Sequence, residues 1–338
     1  MRAMFQESVE RLFADAVDAE TLRLAETGAW SDSLWAQVEA LGLPLAAVSE
    51  DLGGIGASWT DLFPVIRACG ASAVPAPLPE TLVANALLSA CGIAPPESGV
   101  TVFAAGDAVS VLPDLPWGRQ ARWLVLHDTA RGRLGLHDMT GAAVEQDVNV
   151  AGEPRDTVVL ASGSLVSDAA FDGPPDTARL SGALIRSGQI AGALGRLTEM
   201  SAQYANERVQ FGRPIGKFQA VQQQLAQLAT QAAAAGAVAE AAFMQARRTP
   251  HFATTASAKA VAGEAAGKGA AIAHAVHGAL GFTHEHSLHF LTRRLWAWRT
   301  EYGSDARWSE RLGRIIADAG EDGLWPFITE TLKERPQP

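Results

Sequence analysis

Between Arg179 and Val276 the sequence carries three long segments whose small and apolar residues recur at helical spacing, with only two short interruptions between them. Arg179 to Tyr204 sets Leu184, Gly188, Ala191 and Gly195 at helix spacing, and small residues there let neighbouring helices approach closely. Phe218 to Arg248 is rich in Ala and Gln; after the Thr249-Pro250 break, Phe252 to Val276 is rich in Ala with Gly at intervals. Long helices joined by short turns pack antiparallel, so this half of the chain reads as a helical bundle. Leu288 to Trp298, Trp308 to Ala319 and Trp325 to Leu332 complete it.

The first hundred residues are also helical in pattern. Phe5, Val9, Leu12, Phe13 and Val17 recur at spacings of three and four, Trp30 to Leu41 repeats the signal, and a further helix starts near Ser58 or Trp59. Thr81 to Cys91 is another, closed by Gly92, Pro95 and Pro96. Composition then shifts. Thr101-Val-Phe, Val109-Ser-Val-Leu, Trp123-Leu-Val-Leu and Val158-Val-Leu are short β-prone runs separated by Gly, Pro and Asp. A module of about sixty residues has a marginal core by itself and has to dock on its neighbours. The fold class is therefore mostly α with a small β domain (α+β): an N-terminal helical domain over 1–97, a middle antiparallel β module over 98–170, and a C-terminal four-helix bundle over 171–338.

Charge and composition exclude several functions. With 338 residues and a net charge of -10, and with no run of Lys or Arg, the chain lacks the basic face that nucleic acid requires. Met1 to Leu24 mixes charged residues with apolar ones, unlike a signal peptide, and no segment is long and apolar enough to span a membrane. Cys69 and Cys91 are the only cysteines and both lie in apolar helical surroundings, which fits a reducing cytoplasm better than a disulfide framework.

Two groups of residues invite chemistry and are read blandly. His274, His277, His284, His286 and His289 include pairs at i,i+3, but Glu285 does not complete the zinc-protease pattern, and no metal site is expected. Gly53, Gly54 and Gly56 lack the preceding strand and following Lys-Ser/Thr of a phosphate loop, so they form a turn.

The segment Tyr204 to Gln219 is different. A helix reaches Phe211, Gly212 can end it, and Pro214 suits the first turn of the next, which sets Arg208 beside unsatisfied backbone amides, as at an anion site. An ordinary helix-loop-helix corner has the same spacing. Downstream, Gly278 and Gly281 in His277-Gly-Ala-Leu-Gly-Phe282 end a helix and let backbone come close to whatever sits there.

Together these two segments resemble the acyl-CoA dehydrogenase family, which carries Arg-x-x-Phe-Gly-x-x-Ile-x-x-Phe-Gln followed by a His-Gly-Gly-x-Gly-Phe-like motif. Here the matching residues are Arg208, Phe211, Gly212, Ile215, Phe218 and Gln219, then His277, Gly278, Gly281 and Phe282. Glu50-Asp-Leu-Gly-Gly-Ile-Gly56 and Glu80-Thr-Leu-Val-Ala extend the likeness to nearly the whole chain. The resemblance implies FAD, an acyl-CoA thioester substrate, an electron-transfer flavoprotein or similar acceptor, and a homo- or hetero-oligomer. It implies that Arg208 and Gln210 meet the FAD diphosphate, that Phe211 and Phe218 flank the cofactor, and that Gln219 bonds its adenosine half, partly across a subunit boundary. Ile215, His277, Gly278, Gly281 and Ser304 belong to the same implied cofactor set.

The implied reaction is α,β-dehydrogenation, in which a carboxylate removes the α-proton of the thioester while a hydride leaves the β-carbon for the flavin. The family's usual base is the Glu of an aromatic-Glu-Gly-Thr sequence, and here that place reads Thr300-Glu301-Tyr302-Gly303-Ser304. Tyr302 occupies the expected position. Glu301, one residue earlier, is the candidate base, although a one-residue shift rotates a helical side chain by about 100°. The family's second place for a base reads Ser181-Gly-Ala-Leu-Ile185 and offers no carboxylate. Ala275 stands where a Gln is common, and Pro116-Trp117-Gly-Arg119 only loosely replaces the loop that covers the flavin. Divergent members with a reduced middle domain often form half of a hetero-oligomer, which gives the alternative expectation that a partner subunit supplies the base.

Overall fold

The computed structural model describes residues 1–106 and 111–330. Val109 and Ser110, expected in a strand, and Leu332, expected in the last helix, lie outside them. The N-terminal helices are α1 (Arg2–Ala16), α2 (Ala19–Glu26), α3 (Asp32–Ala40), α4 (Trp59–Ala71) and α5 (Leu78–Ala90). The single helix expected over the first 24 residues breaks at Val17, because the Asp18 carboxylate accepts the Thr21 amide at 2.7 Å and caps a new helix. Ser58 and Asp61 form a capping box at the start of α4.

Among the described residues the β module has seven strands: β1 (Thr101–Ala105), β2 (Leu112–Pro116), β3 (Trp123–Asp128), β4 (Arg133–Asp138), β5 (Ala143–Glu145), β6 (Arg155–Val159) and β7 (Leu165–Ala170). They form two sheets, in the orders β1-β3-β4-β7 and β2-β6-β5. One pairing departs from the antiparallel expectation: β1 and β3 are parallel. After β1 the chain crosses to β2 in the other sheet, and it re-enters the first sheet in its original direction. The module does dock on helices. Val102, Phe103 and Leu124 share one buried cluster with Leu82, Leu88 and Leu184.

The bundle follows with α6 (Thr177–Glu207), a hairpin of β8 (Val209–Gln210) and β9 (Arg213–Pro214), α7 (Gln219–Gln245), α8 (Phe252–His277), α9 (Leu288–Trp298), α10 (Asp305–Asp318) and α11 (Leu324–Glu330). Leu194, Leu228, Ala266 and Leu295 bring α6, α7, α8 and α9 around one core. α4 crosses α6 with backbones nearly touching: a Cβ on Gly192 would collide with the Arg67 carbonyl, and one on Gly70 with that of Gln189. No described helix is long and apolar enough to cross a membrane.

Candidate functional site

The Tyr204–Gln219 corner is not two helices meeting at Gly212. α6 ends at Glu207, and Val209–Gln210 pairs antiparallel with Arg213–Pro214. Phe211 (φ 52) and Gly212 (φ 76) are both left-handed, the pattern of a tight hairpin turn. Gly212 suits the second left-handed position of such a turn, whereas Phe211 takes the first against its ordinary preference, held there by the pairing of Val209–Gln210 with Arg213–Pro214. Ile215 is buried with Ala205 and Val276, which ties the hairpin to α6 and α8.

What the hairpin displays is exposed. Arg208, Gln210 and Gln219 all face solvent. Phe211 is 91% exposed, and Phe282, on the adjoining Gly278–Phe282 turn, is 74% exposed. Phe218 packs edge-on to Phe211 at 6.1 Å and lies under the Arg213 guanidinium at 4.3 Å. Gly278 (φ 59) and Gly212 leave open space where a side chain would stand. An arginine, two uncovered aromatic rings and two bare backbone turns are a donor set that fits a diphosphate joined to flat rings. They also fit a site completed by something outside this chain, because exposed rings on a strained turn gain nothing from water. His277 faces inward instead: it is buried, stacked on Tyr204 at 4.5 Å, and its Nδ1 donates to the Ala273 carbonyl.

Glu301 and Ser304 lie elsewhere. Arg186, which contacts Glu301, lies on α6, 22 positions before Arg208, the residue just past that helix's end, so the two groups are separated by roughly 33 Å along the helix at about 1.5 Å per residue. Ser304 caps α10, its hydroxyl accepting the Arg307 amide at 3.3 Å. Glu301 is enclosed by cations. Arg155 Nη2 lies 2.7 Å from Oε1, Arg186 Nε lies 2.7 Å from Oε2, and Asn149 Nδ2 donates to Oε1 at 2.9 Å. Burial alone would raise the carboxyl, but Arg155 and Arg186 outweigh it and hold Glu301 down to about 2. A base for an activated C–H bond needs the opposite shift.

These contacts belong to a larger lattice. Glu80 from α5 accepts from Arg186 Nη2 at 2.7 Å; Arg155 also contacts Glu153 at 3.1 Å; Glu153 in turn meets Arg294 of α9 at 3.2 Å and accepts from Trp298 Nε1 at 3.0 Å. Three carboxylates alternate with three guanidiniums across the N-terminal helices, the β module and the bundle. Sequence reasoning missed this lattice, although Arg186, directly after Leu184-Ile185 on a helix of small and apolar residues, was a visible signal of a buried partner.

Tyr302 fills the space beside the lattice. Its backbone is left-handed (φ 56), its ring stacks on Phe103 at 5.9 Å, and Arg186 lies 5.7 Å from the ring centre. A Cβ on Gly182 would run into that ring. Lys259 holds the turn by donating to the Arg299 and Gly303 carbonyls at 2.8 and 2.9 Å. On the solvent side of Glu301 a cavity of about 950 Å³ opens between Pro116, Val148 and Val150 of the β module and Trp296 and Ala297 of α9. Trp117 does not cover it with its ring, since that side chain is buried against Trp30 at 6.0 Å, and Arg119 is paired with Asp156.

The comparisons with known proteins agree with this architecture. The acyl-CoA dehydrogenase N-terminal domain matches residues 2–92, and the acyl-CoA dehydrogenase C-terminal domain matches residues 181–317. The chain is 31% identical over 300 residues to acyl-CoA dehydrogenase IpdE2 of Mycobacterium tuberculosis, covering 87% of this chain and 90% of that protein. It is 30% identical to acyl-CoA dehydrogenase FadE34 of the same organism, covering 90% of this chain but 45% of that protein. In fold it resembles a chain of the ChsE4-ChsE5 complex from Mycobacterium tuberculosis, with a TM-score of 0.84 at 21% identity over 94% of this chain and 97% of that one. The chain belongs to the acyl-CoA dehydrogenase family, FAD-dependent oxidoreductases acting on the CH–CH bond of acyl-CoA thioesters.

Proposed function

We propose that this chain serves acyl-CoA α,β-dehydrogenation as one subunit of a hetero-oligomer, presenting its hairpin corner to a flavin whose ring, substrate and base are housed by a partner of the same family. The observation that carries this reading is the ion-paired state of Glu301 with Tyr302 packed beside it. The carboxylate has a guanidinium on each oxygen, and the position the family uses for its base is filled by a phenol whose burial pushes its proton affinity up. Arg208 and Gln210 would meet the FAD diphosphate, Phe211 and Phe218 would wall the cofactor above the buried Ile215, and Gln219 with the Gly278–Gly281 turn would receive its adenosine half. FAD supplies the acceptor for the two electrons taken from the substrate, and an electron-transfer flavoprotein or similar protein takes them onward. Two free cysteines, one buried, agree with a cytoplasmic setting.

The relatives support the division of labour. The ChsE4-ChsE5 structure is a complex of two named proteins. FadE34 is long enough to hold this chain's counterpart together with a further region of at least equal length. A second reading, a self-sufficient enzyme with Glu301 as base and Ser304 beside the flavin, is favoured by the cavity next to Glu301. The two separate in the assembled complex. If the partner supplies the base, replacing the partner's Glu of the aromatic-Glu-Gly-Thr sequence abolishes flavin reduction by acyl-CoA, and Glu301→Gln in this chain leaves it intact. If Glu301 is the base, Glu301→Gln abolishes reduction while the flavin stays bound.

A further inference from the structure

The underside of the cofactor corner is built on histidines. Tyr204 Oη, from the last turn of α6, donates to the His277 carbonyl at 3.3 Å while its ring stacks on the His277 imidazole. His286, on the segment between Phe282 and α9, packs edge-on to His277 at 4.9 Å, and its Nδ1 accepts the Leu288 amide at 3.2 Å. His274 stacks on Phe282 at 4.5 Å, with its Nε2 3.0 Å from the Thr292 hydroxyl. The segment thus rests through Phe282 on His274 and through its own His286 on His277.

The bonds of His277 and His286 fix which nitrogen carries the proton in each. His277 donates through Nδ1, so its Nε2 carries a lone pair, and that atom is buried with no hydrogen-bond partner among the described residues. His274 Nδ1 is likewise buried without a hydrogen-bond partner among the described residues, while its Nε2 faces a Thr292 hydroxyl that can donate or accept. The groups facing them are Tyr204 from α6, His286 from the connecting segment, and His289 and Thr292 from α9. The carboxylate on that segment, Glu285, is exposed and lies toward His284 and Arg23. An imidazolium at His277 or His274 would place a buried N–H opposite other imidazoles with no anion to meet it.

We propose that this cluster is an acid-operated latch: proton uptake by His274, His277 and His286 releases the segment Gly278–Ser287 from α6 and α8 and dismantles the cofactor corner. The regulatory meaning rests on the reading of that corner as the flavin site; the latch itself does not. Burial, with the neighbouring imidazoles, holds all three histidines below the ordinary imidazole value. The sign follows. Closure is unpenalised above an open-state pKa of about 6.5 and weakens as pH falls, by about tenfold at pH 5.5 for each histidine that has to stay neutral.

Amide hydrogen exchange of the full chain, with intrinsic rates corrected for pH, tests this. Protection of the 278–287 segment should fall by tenfold or more between pH 7.5 and pH 5.5, with a slope above one proton per opening, while the middles of α6 and α8 stay protected. The His274→Gln/His277→Phe double variant, which keeps a donor for Thr292 and a ring on Tyr204, should lose most of that dependence. Equal wild-type protection at the two pH values overturns the latch, and so does an undiminished pH dependence in the variant. The wild-type slope decides alone if the variant does not fold. FAD titration of the assembled complex at pH 7.5 and 5.5 is the separate arm: a latch that opens without loss of FAD affinity contradicts the flavin-corner reading and leaves the latch standing.

Discussion

Arg186 Nε lies 2.7 Å from Glu301 Oε2, joining the middle of the bundle's first helix to the turn that carries the family's base position. The carboxylate that looks available in the sequence is an ion pair in the fold. Its other oxygen meets Arg155 of the β module, so three parts of the chain depend on one side chain.

Removing that charge should cost stability. Glu301→Gln leaves Arg155 and Arg186 with one anion fewer in a buried lattice, and breaking such a pair costs about 3–5 kcal/mol. Urea unfolding of the isolated chain should show the midpoint falling with little change in slope. A loss below about 1 kcal/mol would mean that the lattice is solvated.

Acid should act through the same residue. Glu301 is held at about 2, below its ordinary value. Its contribution is therefore fully present above the usual carboxylate range and is lost as pH falls from about 5 toward 2, to a total of about 3 kcal/mol. Unfolding free energies across that range should fall less steeply in Glu301→Gln than in the wild type.

Gly182 and Tyr302 should behave as a coupled pair. The Cβ of Gly182→Ala meets the Tyr302 ring, and overpacking of this kind costs about 1–3 kcal/mol. Combining it with Tyr302→Ala should cost less than the two single changes added together. Strict additivity in a double-mutant cycle would show that the ring does not fill that space.

The corner should respond differently. Arg208 is exposed, so Arg208→Gln should change stability by no more than about 0.5 kcal/mol. In the assembled complex it should weaken FAD binding by at least about tenfold, the loss of one charge-assisted contact. Flavin fluorescence titration beside thermal unfolding measures both.

The order of helical, β and helical regions was legible because it is written in local periodicity. Leu288 to Trp298 was read with the boundaries that α9 has, and Phe252 to Val276 fell one residue short of α8. The hairpin at Val209–Pro214 was misread as a helix end, since Gly212 and Pro214 are compatible with both, and the left-handed Phe211 decides between them. The parallel β1–β3 pair depends on which sheet receives β2, which no strand states in its own residues. Glu301 illustrates the larger gap. Its partners Asn149, Arg155 and Arg186 are more than a hundred positions away, so its sequence neighbourhood suggests a base and its spatial neighbourhood an anchor.

The visible spectrum of this chain, purified alone, incubated with FAD, gel-filtered and then mixed with acyl-CoA, tests the central claim most directly. A subunit that offers only the outer corner of the site should emerge without a flavin band, and the band should appear, and bleach on addition of acyl-CoA, only when the partner subunit is present. A chain that emerges yellow by itself and bleaches with acyl-CoA would contradict the account.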